Sequence, residues 1–212
     1  MYPLGMTRSL AVAAGLVALA APASASAASL TVVPQKRCYS SGESVNLIGT
    51  GFSPLGSASV SRDGSLLSAL TTDANGAFNG ILTVGQTSGK RTKTYTAVDD
   101  AASTITASTQ ITVSAVRVDL SPANGAPGRR MSIRASGFAT GKTLWAHITK
   151  GKSKRTIKIG SLSGACGRLK TRRRLLPRNA AVGVHTVQFD TFRRYDRRQP
   201  VSYRYAIDVT RG

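Results

Sequence analysis

Short runs in which apolar and polar residues alternate make up most of the chain after residue 28. Turn-forming pairs such as Asp63-Gly64 and Asn75-Gly76 separate these runs, which are rich in Val, Ile, Thr and aromatic residues. Alternation places every second side chain on one face of a β-strand, and Asp-Gly and Asn-Gly pairs favour hairpin turns. Beyond the N-terminal region, no segment sustains the apolar period of about 3.6 residues that indicates a helix. The pattern predicts an all-β sandwich.

Strand positions follow from this alternation. In the first half of the chain, strands are predicted near residues 30–34, 43–50, 57–62, 65–71, 77–84, 92–98 and 108–114. In the second half, they are predicted near residues 116–120, 130–136, 143–149, 154–160, 167–175, 184–190 and 202–210. Because the two sets are separated by almost no linker, a restricted angle between the halves is expected.

Two stretches of the chain repeat each other at a constant offset of 86 residues. The residues Gly42, Val45, Leu47, Gly49, Gly51 and Phe52 correspond to Gly128, Met131, Ile133, Ala135, Gly137 and Phe138. A later match pairs Tyr95-Thr96-Ala97 with His185-Thr186-Val187. A repeat of this length indicates one fold used twice. The sequence therefore predicts two tandem immunoglobulin-like β-sandwich domains, at 28–115 and 116–212.

Residues 1–27 are predicted to be a cleaved signal peptide. Arg8 precedes an apolar run from Leu10 to Ala20, and Ala25-Ser26-Ala27 has the small-x-small pattern of a cleavage site. The run is shorter than the roughly 20 residues of a membrane-spanning helix. We therefore expect a secreted or extracellular protein, with the cell wall as one destination and no transmembrane segment in the mature chain.

Positive charge is concentrated in the second half. Residues 1–115 contribute +2 to the net charge of +20, and residues 116–212 contribute +18. A field of this strength attracts anionic surfaces almost irrespective of shape, so anionic cell-envelope polymers or other polyanions are the expected partners. A solvated surface without any ligand is the alternative interpretation.

Three basic segments form the candidate polyanion-binding surface. On the predicted fifth strand of the second half, alternation places Arg168, Lys170, Arg172 and Arg174 on one face, which cannot be core. The complete candidate set is Lys150, Lys152, Lys154, Arg155, Arg168, Lys170, Arg172, Arg174, Arg193, Arg194, Arg197 and Arg198.

Aromatic residues accompany these arginines. Phe192, Tyr195, Tyr203 and Tyr205 lie close to them in sequence, as base stacking on nucleic acid requires. However, Tyr203 and Tyr205 alternate with polar residues as an inward strand face, and no nucleic-acid-binding signature is present, so specific nucleic-acid binding is not expected. Trp145 has two interpretations: alternation leaves it exposed for glycan stacking, whereas the apolar residue at the matching place of the first copy favours burial.

The two histidines, His147 and His185, suggest no metal site. Neither has Cys, Asp or Glu beside it at metal-ligand spacing. His185 takes the place of Tyr95 near the start of the sixth strand, where immunoglobulin-like folds often keep a tyrosine bonded to the backbone. A structural role is therefore predicted for His185.

Catalysis has little support in the sequence. The spacing indicates no Ser-His-Asp or paired-carboxylate arrangement. An active site would have to be assembled from distant acids such as Asp190, Asp196 and Asp208. We predict that the chain is not an enzyme, and no metal or cofactor is expected.

The two cysteines lie in different halves. Cys38 is in the connection between the first two predicted strands, and Cys166 is between the fourth and fifth strands of the second half. In a seven-strand sandwich these connections lie at the end of one domain and the beginning of the next, so both converge on the junction. An interdomain disulfide is our hypothesis. Two unpaired thiols and intermolecular pairing remain alternatives.

The opening Gly42-Glu43-Ser44-Val45-Asn46-Leu47, followed by Gly49-Thr50-Gly51-Phe52, resembles bacterial immunoglobulin-like repeats, including IPT/TIG-type domains. The resemblance implies an extracellular setting and a binding or spacer role, without catalytic residues. With a Gly-x-x-Val opening at Gly42 and Val45 and the turn Asp73-Ala74-Asn75-Gly76, the first copy also resembles the actinobacterial apochromoproteins. Those carry two internal disulfides per domain, whereas this copy has Cys38 alone.

These expectations lead to two functional hypotheses. The first is a non-catalytic secreted or cell-surface adhesion or spacer module, whose second domain binds anionic envelope polymers electrostatically. The alternative is a small-molecule-binding module resembling the apochromoproteins, with its pocket in the first domain.

Overall fold

The computed structural model describes residues 27–210, so the predicted signal peptide lies outside the described residues except for Ala27. Fifteen β-strands and no helix occur in this range. The first-half strands are β1 (Ser29–Val33), β2 (Tyr39–Ser40), β3 (Ser44–Thr50), β4 (Ser57–Arg62), β5 (Ser65–Thr71), β6 (Phe78–Thr83), β7 (Lys90–Asp99) and β8 (Thr106–Ser114). The second-half strands are β9 (Arg117–Ser121), β10 (Arg130–Ser136), β11 (Thr143–Lys150), β12 (Ser153–Ser161), β13 (Leu169–Arg174), β14 (Gly183–Asp190) and β15 (Tyr203–Val209).

All the predicted strands are present, and the predicted all-β class is confirmed. The one additional strand is β2, whose two residues run parallel to the end of β8. Sequence reasoning missed β2 because two residues are too few to show alternation.

The two halves share one strand order. The first half has sheets β1-β3-β6 and β2-β8-β7-β4-β5, and the second has β9-β10-β13 and β15-β14-β11-β12. Apart from the edge strand β2, each strand therefore has a counterpart in the other half. The arrangement is consistent with β-sandwich packing, while the assignment of two tandem immunoglobulin-like domains and their boundary stays a prediction.

Buried apolar side chains form one core cluster between Leu30 and Val113 and another between Val118 and Val209. Residues from facing sheets meet in each cluster, as Ile133 of β10 and Leu144 of β11 do in the second. Fully burying a large aliphatic side chain stabilises a fold by about 1.5–3 kcal/mol. Because alternate residues of β10 are directed into this core, the residues between them are directed to the opposite face of the sheet.

Cys38 and Cys166 form a disulfide between the two halves. Their Cα atoms lie 5.2 Å apart across a sequence separation of 128 residues, and both side chains are buried. Beside the disulfide, the Ala139 backbone N–H donates to Ser40 Oγ at 2.9 Å. The sequence hypothesis of this pairing is therefore confirmed, and both alternatives are wrong for this structure.

Candidate anion-binding face

The outer face of the sheet β9-β10-β13 is basic. Met131, Ile133 and Ala135 of β10 are buried in the core. Because side chains alternate along a strand, Arg130 and Arg134 are directed outward, and both are exposed. The apolar periodicity of β10 therefore places these two cations on the outer face of the sheet.

Strand pairing brings the cations of β13 beside those of β10. Arg130 lies opposite Arg174, Arg134 lies opposite Lys170, and Arg172 lies between these pairs. All five side chains are exposed. Opposite residues on one sheet face have Cβ atoms about 4.5–5.5 Å apart, so like charges there repel. We call Arg130, Arg134, Lys170, Arg172 and Arg174 the basic sheet face.

The neighbouring strand β9 supplies little neutralisation. Asp119 lies opposite Arg134, but it accepts a hydrogen bond from Arg117 Nε at 2.9 Å. This hydrogen bond raises the pKa of the Arg117 guanidinium. The pair is well exposed, so its own contribution to stability is small. The one carboxylate of β9 is thus shared between Arg117 and the cations of the basic sheet face.

A concavity of about 280 Å³ opens at the edge of this face. It lies where β13, the edge strand of one sheet, approaches β12, the edge strand of the other. We call it the arginine pocket, and its lining residues are Arg130, Ile157, Lys158, Arg172, Arg173 and Arg174. Five of these six side chains are cationic and none is acidic.

Sequence reasoning missed part of this surface. It did not select Arg130 and Arg134, although they alternate with apolar residues in a predicted strand and could have been found from that signal. Arg173 and Lys158 were also missed. Alternation directs Arg173 away from the face of Arg172 and Arg174, and only the approach of two sheet edges makes it part of a pocket.

Other predicted residues lie apart from the basic sheet face. Arg168 precedes β13 in a turn bridged to Ser163, so it is not on the strand face predicted for it. Lys150 donates to the carbonyl oxygens of Ala181, at 3.1 Å, and Val182. Lys152 lies in the turn between β11 and β12.

Lys154 and Arg155 belong to two further environments. The Lys154 ammonium lies 5.5 Å from the centroid of the Tyr195 ring. Arg155 lines a pocket of about 510 Å³ together with Lys150 and His185. His185 itself bonds through Nε2 to the Ala181 carbonyl at 2.8 Å, which agrees with the structural role predicted for it.

The connection between β14 and β15 crosses the outer face of the four-stranded sheet. His147 Nε2 lies 3.0 Å from the Phe192 carbonyl oxygen, and Gln188 Nε2 donates to the Asp196 carbonyl oxygen at 2.7 Å. These contacts hold the first half of the connection, from Phe192 to Asp196, against the sheet. Its four predicted cations are exposed on that side, away from the basic sheet face: Arg193, Arg194, Arg197 and Arg198.

A buried histidine–carboxylate pair lies beneath this connection. His147 Nε2 is 3.2 Å from Asp190 Oδ1, and both side chains are almost fully buried. Asp190 also accepts from the Phe192 backbone N–H at 2.8 Å and from Gln188 Nε2 at 2.9 Å. Buried polar groups need such partners, and the network holds the connection in place. Sequence reasoning could not pair residues separated by 43 positions.

The aromatic predictions divide. Tyr203 and Tyr205 pack against the second core cluster, as expected for an inward strand face. Trp145 is half-buried on the outward side of β11, so alternation gave its side correctly and neither interpretation gave its exposure in full.

No helix long and apolar enough to cross a membrane was found in residues 27–210. The same residues contain no group of three or more His, Cys, Asp or Glu side chains placed to hold a metal ion.

No protein-family model and no curated protein matches this chain. One similar solved structure is a Corynebacterium diphtheriae protein described as membrane-anchored, with 12% identity, a TM-score of 0.33, and coverage of 87% of this chain and 57% of that one. Another is red sea bream transglutaminase, with 13% identity, a TM-score of 0.30, and coverage of 88% and 32%. This chain therefore spans less than two thirds of either protein, and similarity at this level carries no functional argument.

Proposed function

We propose that this chain is a non-catalytic, secreted or cell-surface immunoglobulin-like protein that binds anionic envelope polymers electrostatically through residues 116–212. The observation that carries the proposal is the basic sheet face, where five exposed cations lie side by side on two paired strands. A surface of one charge sign concentrates oppositely charged ligands around it.

The disulfide supports the extracellular setting. Disulfides persist in oxidising compartments and are rare where thiols are kept reduced. A buried disulfide between the two halves is thus expected of an exported chain.

The buried network around His147 does not change the non-catalytic assignment. Thr156, His147 and Asp190 are hydrogen-bonded in a row, an order also found in hydrolase triads. However, His147 Nε2 also contacts the Phe192 carbonyl, and the imidazole is almost fully buried beneath the connection. We interpret the row as the fastening of that connection.

Retention on purified anionic envelope polymer, measured from low to molar salt, tests the proposed function. We expect strong retention at low salt that falls as salt rises, because counterions compete with each ionic contact. Replacing the basic sheet face with serine should remove most of this retention. The control variant carries four Arg→Gln changes in the β14–β15 connection and should keep most of the retention. The changed residues are Arg193, Arg194, Arg197 and Arg198. Absence of binding at low salt, or retention unaffected by molar salt, contradicts the proposal.

A further inference from the structure

The arginine pocket gathers five cations, whereas the cavity of Lys150 and Arg155 has two and the cavity of Arg194 has one beside Asp196. Arg130, Arg172, Arg173 and Arg174, with Lys158, converge on one concavity instead of spreading over a convex face. Its volume of about 280 Å³ is several times the roughly 30 Å³ that one water molecule occupies. The pocket therefore has room for more than one small oxyanionic group.

Arg173 is held across the seam between the two sheets. Its Nε donates to the carbonyl oxygen of Ile159 at 3.3 Å, which joins β13 to β12. Among the described residues, no hydrogen bond from its Nη groups is found, so these donors remain for a ligand. Fixing a guanidinium beforehand reduces the ordering cost of binding.

The cationic lining distinguishes this pocket from the concavity at the matching seam of the first half. That concavity is lined by residues such as Ile48, Thr71 and Asn79, and none of its lining side chains is cationic. In the first half the corresponding strands are β5 and β6, where Leu70 packs directly over Gly80. A Cβ atom at Gly80 would lie 2.5 Å from Leu70 Cδ1, so the two edges touch there through an apolar contact. The second half has a similar contact between Leu169 and Gly160, and it adds the cations Lys158 and Arg173 at its seam.

Converging cations without an acid favour a multiply charged ligand. Arg130 and Arg174 already repel each other as opposite residues on paired strands, so an anion between them relieves this repulsion. Guanidinium groups form paired hydrogen bonds with phosphate oxygens, and a terminal phosphate offers three acceptors with a charge of about −1.5 to −2. A single carboxylate offers two oxygens and one charge, which one arginine can satisfy.

We propose that the arginine pocket is a binding site for directly linked phosphate groups, as in polyphosphates, whose closely spaced charges can meet several of its cations at once. This inference rests on the proposed function and deepens it, because it names phosphate as the group that the polyanion presents to the chain. The remaining cations of the basic sheet face then contribute less specific attraction.

Titration calorimetry of the full mature chain with inorganic tripolyphosphate tests the site. A pocket variant removes three charges by Lys158→Gln, Arg173→Gln and Arg174→Gln. A matched control removes three charges outside the pocket by Arg134→Gln, Arg168→Gln and Lys170→Gln. We expect tripolyphosphate affinity to fall at least tenfold in the pocket variant and less than threefold in the control. Circular dichroism establishes that both variants keep the β-fold.

Citrate, a small polycarboxylate, provides the second arm of the experiment. We expect it to bind at least tenfold more weakly than tripolyphosphate at equal ionic strength. Equal losses in the two variants, equal affinity for citrate, or no binding of tripolyphosphate would overturn the phosphate site. If the wild-type chain still shows salt-dependent polymer retention in that case, the proposed function survives; if retention is also absent, both fail.

Discussion

The two three-stranded sheets of this molecule have the same strand order and different outer surfaces. In the first half, β3 and β6 place Ser44 opposite Thr83. At the matching place in the second half, β10 and β13 place Arg130 opposite Arg174. The pairing is the same because main-chain groups form the hydrogen bonds and the buried apolar positions, which both halves share, set the register. The fold therefore does not require the charge, which occupies positions that the core leaves free.

The larger sheets of the two halves, β2-β8-β7-β4-β5 and β15-β14-β11-β12, differ in a second way. In the first half, Ser59 Oγ donates to Asp100 Oδ1 at 2.7 Å on an exposed surface. The Tyr95–His185 correspondence places Asp190 at the position of Asp100, and Asp190 pairs with His147 under a long connection. One position therefore serves an open hydrogen bond in one half and a buried network in the other.

Removing the disulfide that links the two halves has the largest expected effect. Replacing Cys38 and Cys166 with serine should lower the free energy of unfolding by about 4–5 kcal/mol, because the disulfide closes a loop of 128 residues. Polymer retention should stay within twofold of wild type, since the basic sheet face lies within one half. Denaturant unfolding and the retention assay measure the two effects. A denaturation midpoint equal to that of the disulfide-linked wild type would contradict the expected loss of stability.

Asp99 gives the next largest effect. Its carboxylate accepts backbone hydrogen bonds from Ser53 at 2.6 Å, Ala101 at 2.9 Å and Ala102 at 3.0 Å. The Ser53 N–H, above all, holds the pKa of Asp99 below its ordinary value of 3.8. The corresponding position in the second half is Phe189, so only the first half depends on this charge.

We expect Asp99→Asn to be less stable than wild type at neutral pH. Because the folded pKa is depressed, the carboxylate contributes stability above its ordinary pKa, and this contribution is lost as pH falls through the folded pKa. The difference between variant and wild type should therefore shrink below about pH 4. Unfolding free energies across a pH series measure it. A difference that is constant with pH would count against the assignment.

Transferring the cations to the first half tests whether the strand register is enough to produce the binding surface. The background is the chain whose basic sheet face has been replaced with serine. The graft then adds the matching cations by Ser44→Arg, Ile48→Arg, Asn79→Lys, Ile81→Arg and Thr83→Arg. Because the strand register sets the spacing, we expect polymer affinity at low salt to recover about tenfold, or about 1.4 kcal/mol. A folded graft without recovery would show that position in the molecule matters beyond spacing.

The smallest expected effect concerns a single cross-strand pair. Arg130→Ser together with Arg174→Thr introduces the residue types found at the matching positions of the first half. This change should raise the free energy of unfolding by about 0.2–1 kcal/mol. The gain should diminish in high salt, because salt screens exposed charges. The control variant makes the same types of change, Arg193→Ser and Arg198→Thr, in the connection between β14 and β15. If the control stabilises the chain equally, then net charge and not pairing is the cause.

Much of the fold could be predicted because its signals are local. Alternation in Val45–Leu47 and Met131–Ile133 identifies strands wherever one face is buried, and the repeat reveals that one pattern occurs twice. The disulfide was predictable for a related reason, since strand order determines at which end each connection lies. The brief strand at Tyr39–Ser40 carries no such periodicity and was missed.

The sequence alone was enough to establish the all-β fold, the strand positions and the half of the chain that carries the charge, whereas it offered the pairing of Cys38 with Cys166 as one of three alternatives. Only the tertiary structure decided which cations meet. Register brought Arg130 to Arg174, and the approach of two sheet edges added Arg173 and Lys158. Arg193 and its neighbours lie on another face, because His147 contacts the Phe192 carbonyl oxygen of their connection. The physical reason is that alternation determines only the side of its own strand on which a charge lies, whereas its neighbours on other strands depend on pairing across long sequence separations.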